Sequence, residues 1–146
     1  MVKVFLDANV WFSAAHSQEG GSFFIMRLAK AKLLAIYANK YVLDEVERNL
    51  LLKSYDSLKL YYTLLSEVNP TIVSLKISST FERKFGRFVP SSDLPVLGGA
   101  MDSGAEHLVT LDKRDLANSE VRSLNLPFSI LTPGEFLGLW RKEFEK

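Results

Sequence analysis

The sequence predicts an α/β fold: a three-layer sandwich with a central, mostly parallel sheet of about five strands flanked by helices. Three observations lead there. Short runs of β-branched and aromatic residues alternate with longer segments of helical periodicity along the whole chain, the pattern of crossover-linked parallel strands. The chain has 146 residues, 47% hydrophobic and 24% charged, which suits one domain over residues 1–146 with a core that needs no staple. It contains no cysteine, so disulfides, thiolate metal sites and cysteine nucleophiles are excluded.

The elements follow in order. Val2–Leu6 (VKVFL) reads as the first strand and Asn9–Ala15 as a short helix behind it. Gly20 and Gly21 interrupt the chain, Ser22 is a candidate N-cap, and Phe23–Leu34 follows as a helix with Phe24, Leu28 and Ala31 on one face. Leu34–Ala38 is a second strand. Tyr41–Lys53 repeats Leu43, Val46 and Leu50 at helical spacing, and Asp56–Val68 is a further helix that Asn69–Pro70 ends. Thr71–Leu75 reads as a third strand, Ser79–Phe85 as a helix and Pro90–Ser92 as a loop. Asp93 opens a helix with Pro95 in its first turn, running to Ser103 with Gly104 as its cap. His107–Leu111 is a fourth strand, followed by a helix from Asp112 to about Leu124. Phe128–Leu131 is a fifth strand, and Pro133 starts a last helix that would turn Phe136, Leu139 and Trp140 inward.

In open parallel sheets, ligands collect outside the carboxyl ends of the strands. Asp7 closes the first strand and Asp112 the fourth. Asp93 starts the helix that leads into the fourth strand, and Glu45 lies on the helix after the second. The topology brings these carboxylates to one edge. Carboxylates gathered without a counter-charge raise one another's pKa values, and a hard divalent cation with oxygen ligands relieves the repulsion. An acidic set without cysteine, in a chain with only two histidines, His16 and His107, therefore points to Mg²⁺ or Mn²⁺ and phosphate chemistry. Each residue also has a plain role. Asp93 and Asp112 stand where helix caps are expected, and Glu45 is an ordinary helical glutamate near Arg48. Asp7 has the least obvious need as a cap. Asp102 faces away from Asp93 and does not join the set, whereas Asp44, about 100° around the helix from Glu45, stays open as the alternative to it.

The segments VFLDANVWFSA around Asp7, VLDEVERNL around Glu45 and DLPVLGGAMDSGAEHLVTLDKRDL from Asp93 to Leu116 resemble the PIN domain family, the metal-dependent ribonuclease fold that includes VapC-type toxins of toxin–antitoxin pairs. The resemblance spans Val2 to about Trp140. It implies that Asp7, Glu45, Asp93 and Asp112 are the catalytic acids and bind one or two Mg²⁺ or Mn²⁺ ions, with Asp7 and Asp93 as the most direct ligands. It implies that Asn9 and Thr110 support the acids by hydrogen bonding and that Asp115 is an outer ligand or a favourable first-turn acid. The implied activity is an endoribonuclease leaving 5′-phosphate and 3′-hydroxyl ends. RNA is the implied substrate, an antitoxin protein the partner and a homodimer the assembly.

Lys40, Arg48, Lys113 and Arg114 are the basic residues nearest the expected cleft and are candidates for holding the RNA backbone. The net charge of +1 gives no strong whole-molecule field toward nucleic acid. No segment reaches the ~18–20 apolar residues of a membrane span and no targeting segment is evident, so a cytoplasmic protein is expected. Nothing in the sequence supports a Ser-His-Asp triad, and no G-x-x-x-x-G-K-[ST] occurs, so a P-loop has no support either. Two alternatives belong to the same fold: a catalytically silent RNA- or protein-binding module, and a nuclease of RNA processing rather than a toxin. A phospho-accepting receiver domain fits poorly, because a single acid stands near the start of the chain where receivers present a pair.

Overall fold

The computed structural model describes residues 1–144. The chain runs β1 (Val2–Leu6), α1 (Ala8–His16), α2 (Gly21–Lys30), β2 (Leu34–Ala38), α3 (Lys40–Lys53), α4 (Leu58–Val68), β3 (Thr71–Ile72), α5 (Ser79–Phe85), α6 (Leu94–Ser103), β4 (His107–Val109), α7 (Ser119–Arg122), β5 (Ser129–Leu131) and α8 (Pro133–Phe144). The five strands form one sheet in the order β3-β2-β1-β4-β5, and every adjacent pair is parallel. From β1 the chain first moves outward through β2 to β3. It then returns to the other side of β1 and moves outward through β4 to β5. The reversal lies between β1 and β4, so their carboxyl ends flank the crevice where such sheets bind ligands.

Local sequence accounts for most boundaries. In β1, Val4, Phe5 and Leu6 are all fully buried, as a central strand covered on both faces requires. Asn39 caps α3 by accepting the Val42 N–H at 2.9 Å, while its amide donates to Pro95 O at 3.0 Å. That second bond ties α3 to the start of α6. Gly99 lets α6 settle onto the sheet, because a Cβ there would come within 2.5 Å of both the Phe5 ring and the Asn39 amide. Thr132 and Glu135 form a reciprocal capping box at α8, with bonds of 2.9 and 3.2 Å.

Several sequence expectations shift. The cap of α2 is Gly20, and Ser22 is buried inside the helix. That helix ends at Lys30 rather than Leu34, since Lys32 adopts φ 62° and the Lys32 and Leu33 N–H groups bond back to Ala29 O and Leu28 O, both at 3.0 Å. This is a Schellman turn with lysine where glycine is usual, so its stop signal is absent from the sequence. The buried face of α2 is Ile25, Met26, Leu28 and Ala29. The helix expected from Asp112 to Leu124 is a run of turns followed by the single-turn α7: Asn118 donates to Arg114 O at 2.8 Å and caps Val121 N–H at 2.8 Å, restarting the helix there. In α8, Phe136 is buried and Trp140 packs against the core, but Leu139 is exposed and Leu137 takes the inner position.

Candidate metal centre

The site begins with Asp7, the residue that turns β1 into α1. Its backbone N–H donates to Val109 O at 3.0 Å, joining the ends of β1 and β4. Its carboxylate caps α1, with Oδ1 accepting the Ala8 N–H at 2.7 Å. The other oxygen accepts the Thr110 hydroxyl at 2.8 Å and the Asn9 amide at 3.3 Å. Asp7 is therefore a cap after all. Thr110 is fully buried, and its Oγ1 also accepts the Asp112 N–H at 3.0 Å. Asn9 closes the ring by accepting the Leu111 N–H at 3.0 Å. Asn9 and Thr110 thus do what the sequence expects of them: they clamp Asp7 and the strand that carries Asp112.

Asp93 ends the short turn before α6, and its carboxylate caps no helical N–H. Among the described residues it accepts no hydrogen bond. Asp112 follows β4, and its Oδ1 accepts the Arg114 and Asp115 N–H groups at 3.1 and 2.9 Å. Asp93, Asp112 and Asp115 can each present a carboxylate oxygen within 4.8 Å of the other two. Glu45 projects from α3 into the same cleft, which encloses about 260 Å³ and is lined by Asp7, Asn9, Phe12, Glu45, Asn49, Lys53, Asp93 and Asp112 among others. The four acids named from the sequence converge, and Asp115 joins the closest group. Asp44 is instead exposed and paired with Lys40 at 2.6 Å, and Asp102 is exposed.

The electrostatics follow from that crowding. Burial pushes the Asp7 carboxyl from 3.8 up to about 6; its bonds to Thr110 and Ala8 oppose the shift, while Glu45 and Asp112 add to it. Asp93 is pushed up to about 7, first by burial and then by the charges of Asp7, Asp112, Asp115 and Glu45. Asp93 is therefore within electrostatic reach of all four other acids. Tyr41 at the edge is also raised, by burial and then by Glu45 and Asp93.

A Mg²⁺ or Mn²⁺ ion fits this donor set. Every candidate ligand is an anionic oxygen, the preference of hard cations. Asp93 is a half-buried carboxylate with neighbouring negative charge and no donor to balance it, so a cation there would supply what the protein leaves out.

The basic residues fall elsewhere. Lys40 pairs along its own helix with Asp44. Arg48 lines a shallow groove with Asp44, Glu47, Leu51 and Leu52. Lys113 lies beside Arg122 and Glu135, and Arg114 is 3.7 Å from Asp115. The cation that lines the acidic cleft is Lys53, which the sequence reading missed along with Asn49. Their signal was present, since Glu45, Asn49 and Lys53 repeat every four residues along one helix face. A larger apolar groove of about 470 Å³ between α2 and α4 has one carboxylate, Glu67, already paired with Lys30 at 2.5 Å, and offers no phosphate chemistry.

No family model and no curated protein matches the sequence. Solved structures do match. The chain is similar to one in the crystal structure of VapBC2 from Rickettsia felis bound to a DNA fragment from their promoter, with a TM-score of 0.62 and 16% identity over 90% of this chain and 98% of that one. The fold is PIN-like. At that identity the likeness speaks for the fold, and the chemistry of this PIN-like chain rests on its own residues. Among the described residues, no helix is long and apolar enough to cross a membrane.

Proposed function

We propose that this chain is a Mg²⁺- or Mn²⁺-dependent endoribonuclease that hydrolyses RNA phosphodiester bonds, and that it acts in the cytoplasm as the toxin of a toxin–antitoxin pair. The observation that carries the chemistry is the convergence of Asp7, Glu45, Asp93 and Asp112 on one cleft, with Asp115 in carboxylate reach of the last two and Asp93 lacking an internal partner. The toxin role is supported by the PIN-like fold and by the neighbour whose title names VapBC2 and its promoter DNA. By that analogy an antitoxin protein is the partner, while the homodimer is proposed from the resemblance to the PIN family alone.

Asp93, Asp112 and Asp115 would hold the ion, with Asp7 and Glu45 completing the anionic ring. When bound, the ion supplies charge compensation at the phosphate and lowers the pKa of water. Asp7 is held by Ala8, Asn9 and Thr110, so it meets the incoming group without reorganising. Glu45 stands on the α3 wall and takes the proton from the attacking water. The water oxygen bonds to phosphorus, the bond to the 3′ oxygen breaks, and that oxygen takes a proton from solvent water, giving 5′-phosphate and 3′-hydroxyl ends. Lys40, Arg48 and Lys113 lie outside the cleft and would contact RNA further along the strand, while Arg114 stands beside Asp115 at the cleft's margin.

The test is cleavage of a mixed, end-labelled RNA pool with Mg²⁺, Mn²⁺ or EDTA, beside an Asp7→Asn variant purified identically. Cutting that needs the metal and is lost in the variant is expected. Equal cutting by both proteins would refute the assignment.

A further inference from the structure

The cleft has a second wall that the acids do not explain. Phe12, on the α1 turn after Asp7, lines the same cavity as Asp7, Glu45, Asp93 and Asp112. Its ring stacks on His16, with centroids 5.9 Å apart and planes 21° from parallel. His16 is tied in turn to Ser54 at the end of α3, Nδ1 to Oγ at 3.0 Å, and Ser54 to Ser57 at 2.7 Å. Directly before Ser54 stands Lys53, which is exposed and lines the cleft together with Asn49. An aromatic ring, an amide and an ammonium therefore line the same cavity as four carboxylates.

A cavity lined by four carboxylates repels a polyanion, and Lys53 is the basic group in its lining. The arrangement is what a strand of nucleic acid needs beside its reacting phosphate: a ring on which an unpaired base stacks, and a cation for the next phosphate. Phe12 is only partly buried and packed from beneath, so stacking a base on it costs little ordering.

We propose that Phe12, Asn49 and Lys53 form the subsite that holds the nucleotide flanking the scissile phosphate: Phe12 stacks the base, Asn49 bonds its edge, and Lys53 meets the neighbouring backbone phosphate. This rests on the nuclease reading above. His16 acts through Phe12 as a positioning residue. The subsite requires an unpaired base next to the cut, so an RNA duplex of the same sequence should be a poor substrate.

The experiment is fluorescence anisotropy of a labelled single-stranded RNA 12-mer on the Asp7→Asn protein, alone and combined with Phe12→Leu, Phe12→Trp or Lys53→Gln, alongside steady-state cleavage by the single variants. Phe12→Leu should weaken binding ~10-fold and Phe12→Trp should restore it, as stacking requires. Lys53→Gln should weaken binding several-fold and reduce the salt slope by about 0.7, the share of one phosphate contact on a single strand. In cleavage, both losses should appear in KM. Lys53 is exposed, so its arm reads out even if Phe12→Leu fails to fold. Wild-type cleavage with unchanged KM and salt slope in Lys53→Gln overturns the subsite and leaves the nuclease standing. Failure of the wild-type protein to bind or cut RNA overturns both.

Discussion

Asp7 and Asp93 face the same cleft but are held in opposite ways. Asp7 is almost wholly buried and receives bonds from Ala8, Asn9 and Thr110. Asp93 is half-buried and receives none among the described residues. Both carboxyls are raised, to about 6 and about 7, but the bonds to Asp7 oppose the shift whereas nothing opposes it at Asp93. One side of the centre is scaffold, fixed by the β1–α1 turn and the end of β4. The other side is charge awaiting a counter-ion. A centre of this kind keeps its geometry without the metal and gains its electrostatic balance only with it.

The largest expected effect comes from the unbalanced side. Asp93→Asn should lower divalent-cation affinity at least ~100-fold and abolish RNA cleavage, while thermal melting shows no loss of stability in the metal-free protein. A fall in melting temperature would mean that Asp93 is structural and that the contrast is misread.

The next effect separates the two sides by pH. Asp7 has a folded pKa above its unfolded value, so its protonation favours the native state. That contribution is complete below about 3.8 and is lost as pH rises through about 6. Asparagine mimics the neutral acid and remains a good cap. Relative to wild type without metal, Asp7→Asn should therefore gain about 3 kcal/mol of stability between the acid limit and pH ~7.5, while losing activity throughout. Urea titrations across that range would measure it. A pH-independent difference would place the Asp7 carboxyl in its ordinary range and remove the argument for burial.

A smaller effect tests the clamp. Thr110→Val removes the hydroxyl that donates to Asp7 and accepts the Asp112 N–H. The expected cost is about 1–3 kcal/mol of stability, from the donors left unpaired, with a fall in cleavage rate and a smaller change in metal affinity than Asp93→Asn gives. A larger loss of metal affinity than in Asp93→Asn would reverse the assignment of scaffold and ligand.

Much of this was legible because the site is written in residues that end strands. Asp7 and Asp112 follow apolar strands whose parallel pairing puts both at the same edge, and the resemblance to the PIN family named Asn9 and Thr110 as their supports. Asp93 was legible through the α6 pattern, Pro95 and Gly104 marking its start and end. What escaped depended on how surfaces face one another. Phe12, Asn49 and Lys53 reach the cleft only because α1 and α3 pack side by side, and the four-residue repeat from Glu45 went unread, with Arg48 and Lys40 named as the basic residues of that helix. The end of α2 was hidden because Lys32 carries a left-handed turn that sequence rules assign to glycine. The break after Asp112 was hidden because Asn118 bonds both backward and forward, a choice local propensity does not display.

The most direct measurement is calorimetric titration of Mn²⁺ into wild-type protein and Asp93→Asn at neutral pH, repeated in two buffers of different ionisation enthalpy. Binding by the wild-type protein with proton release, lost or weakened at least ~100-fold in the variant, is the predicted result. Equal binding by both, or binding by neither, would contradict a metal centre at this cleft.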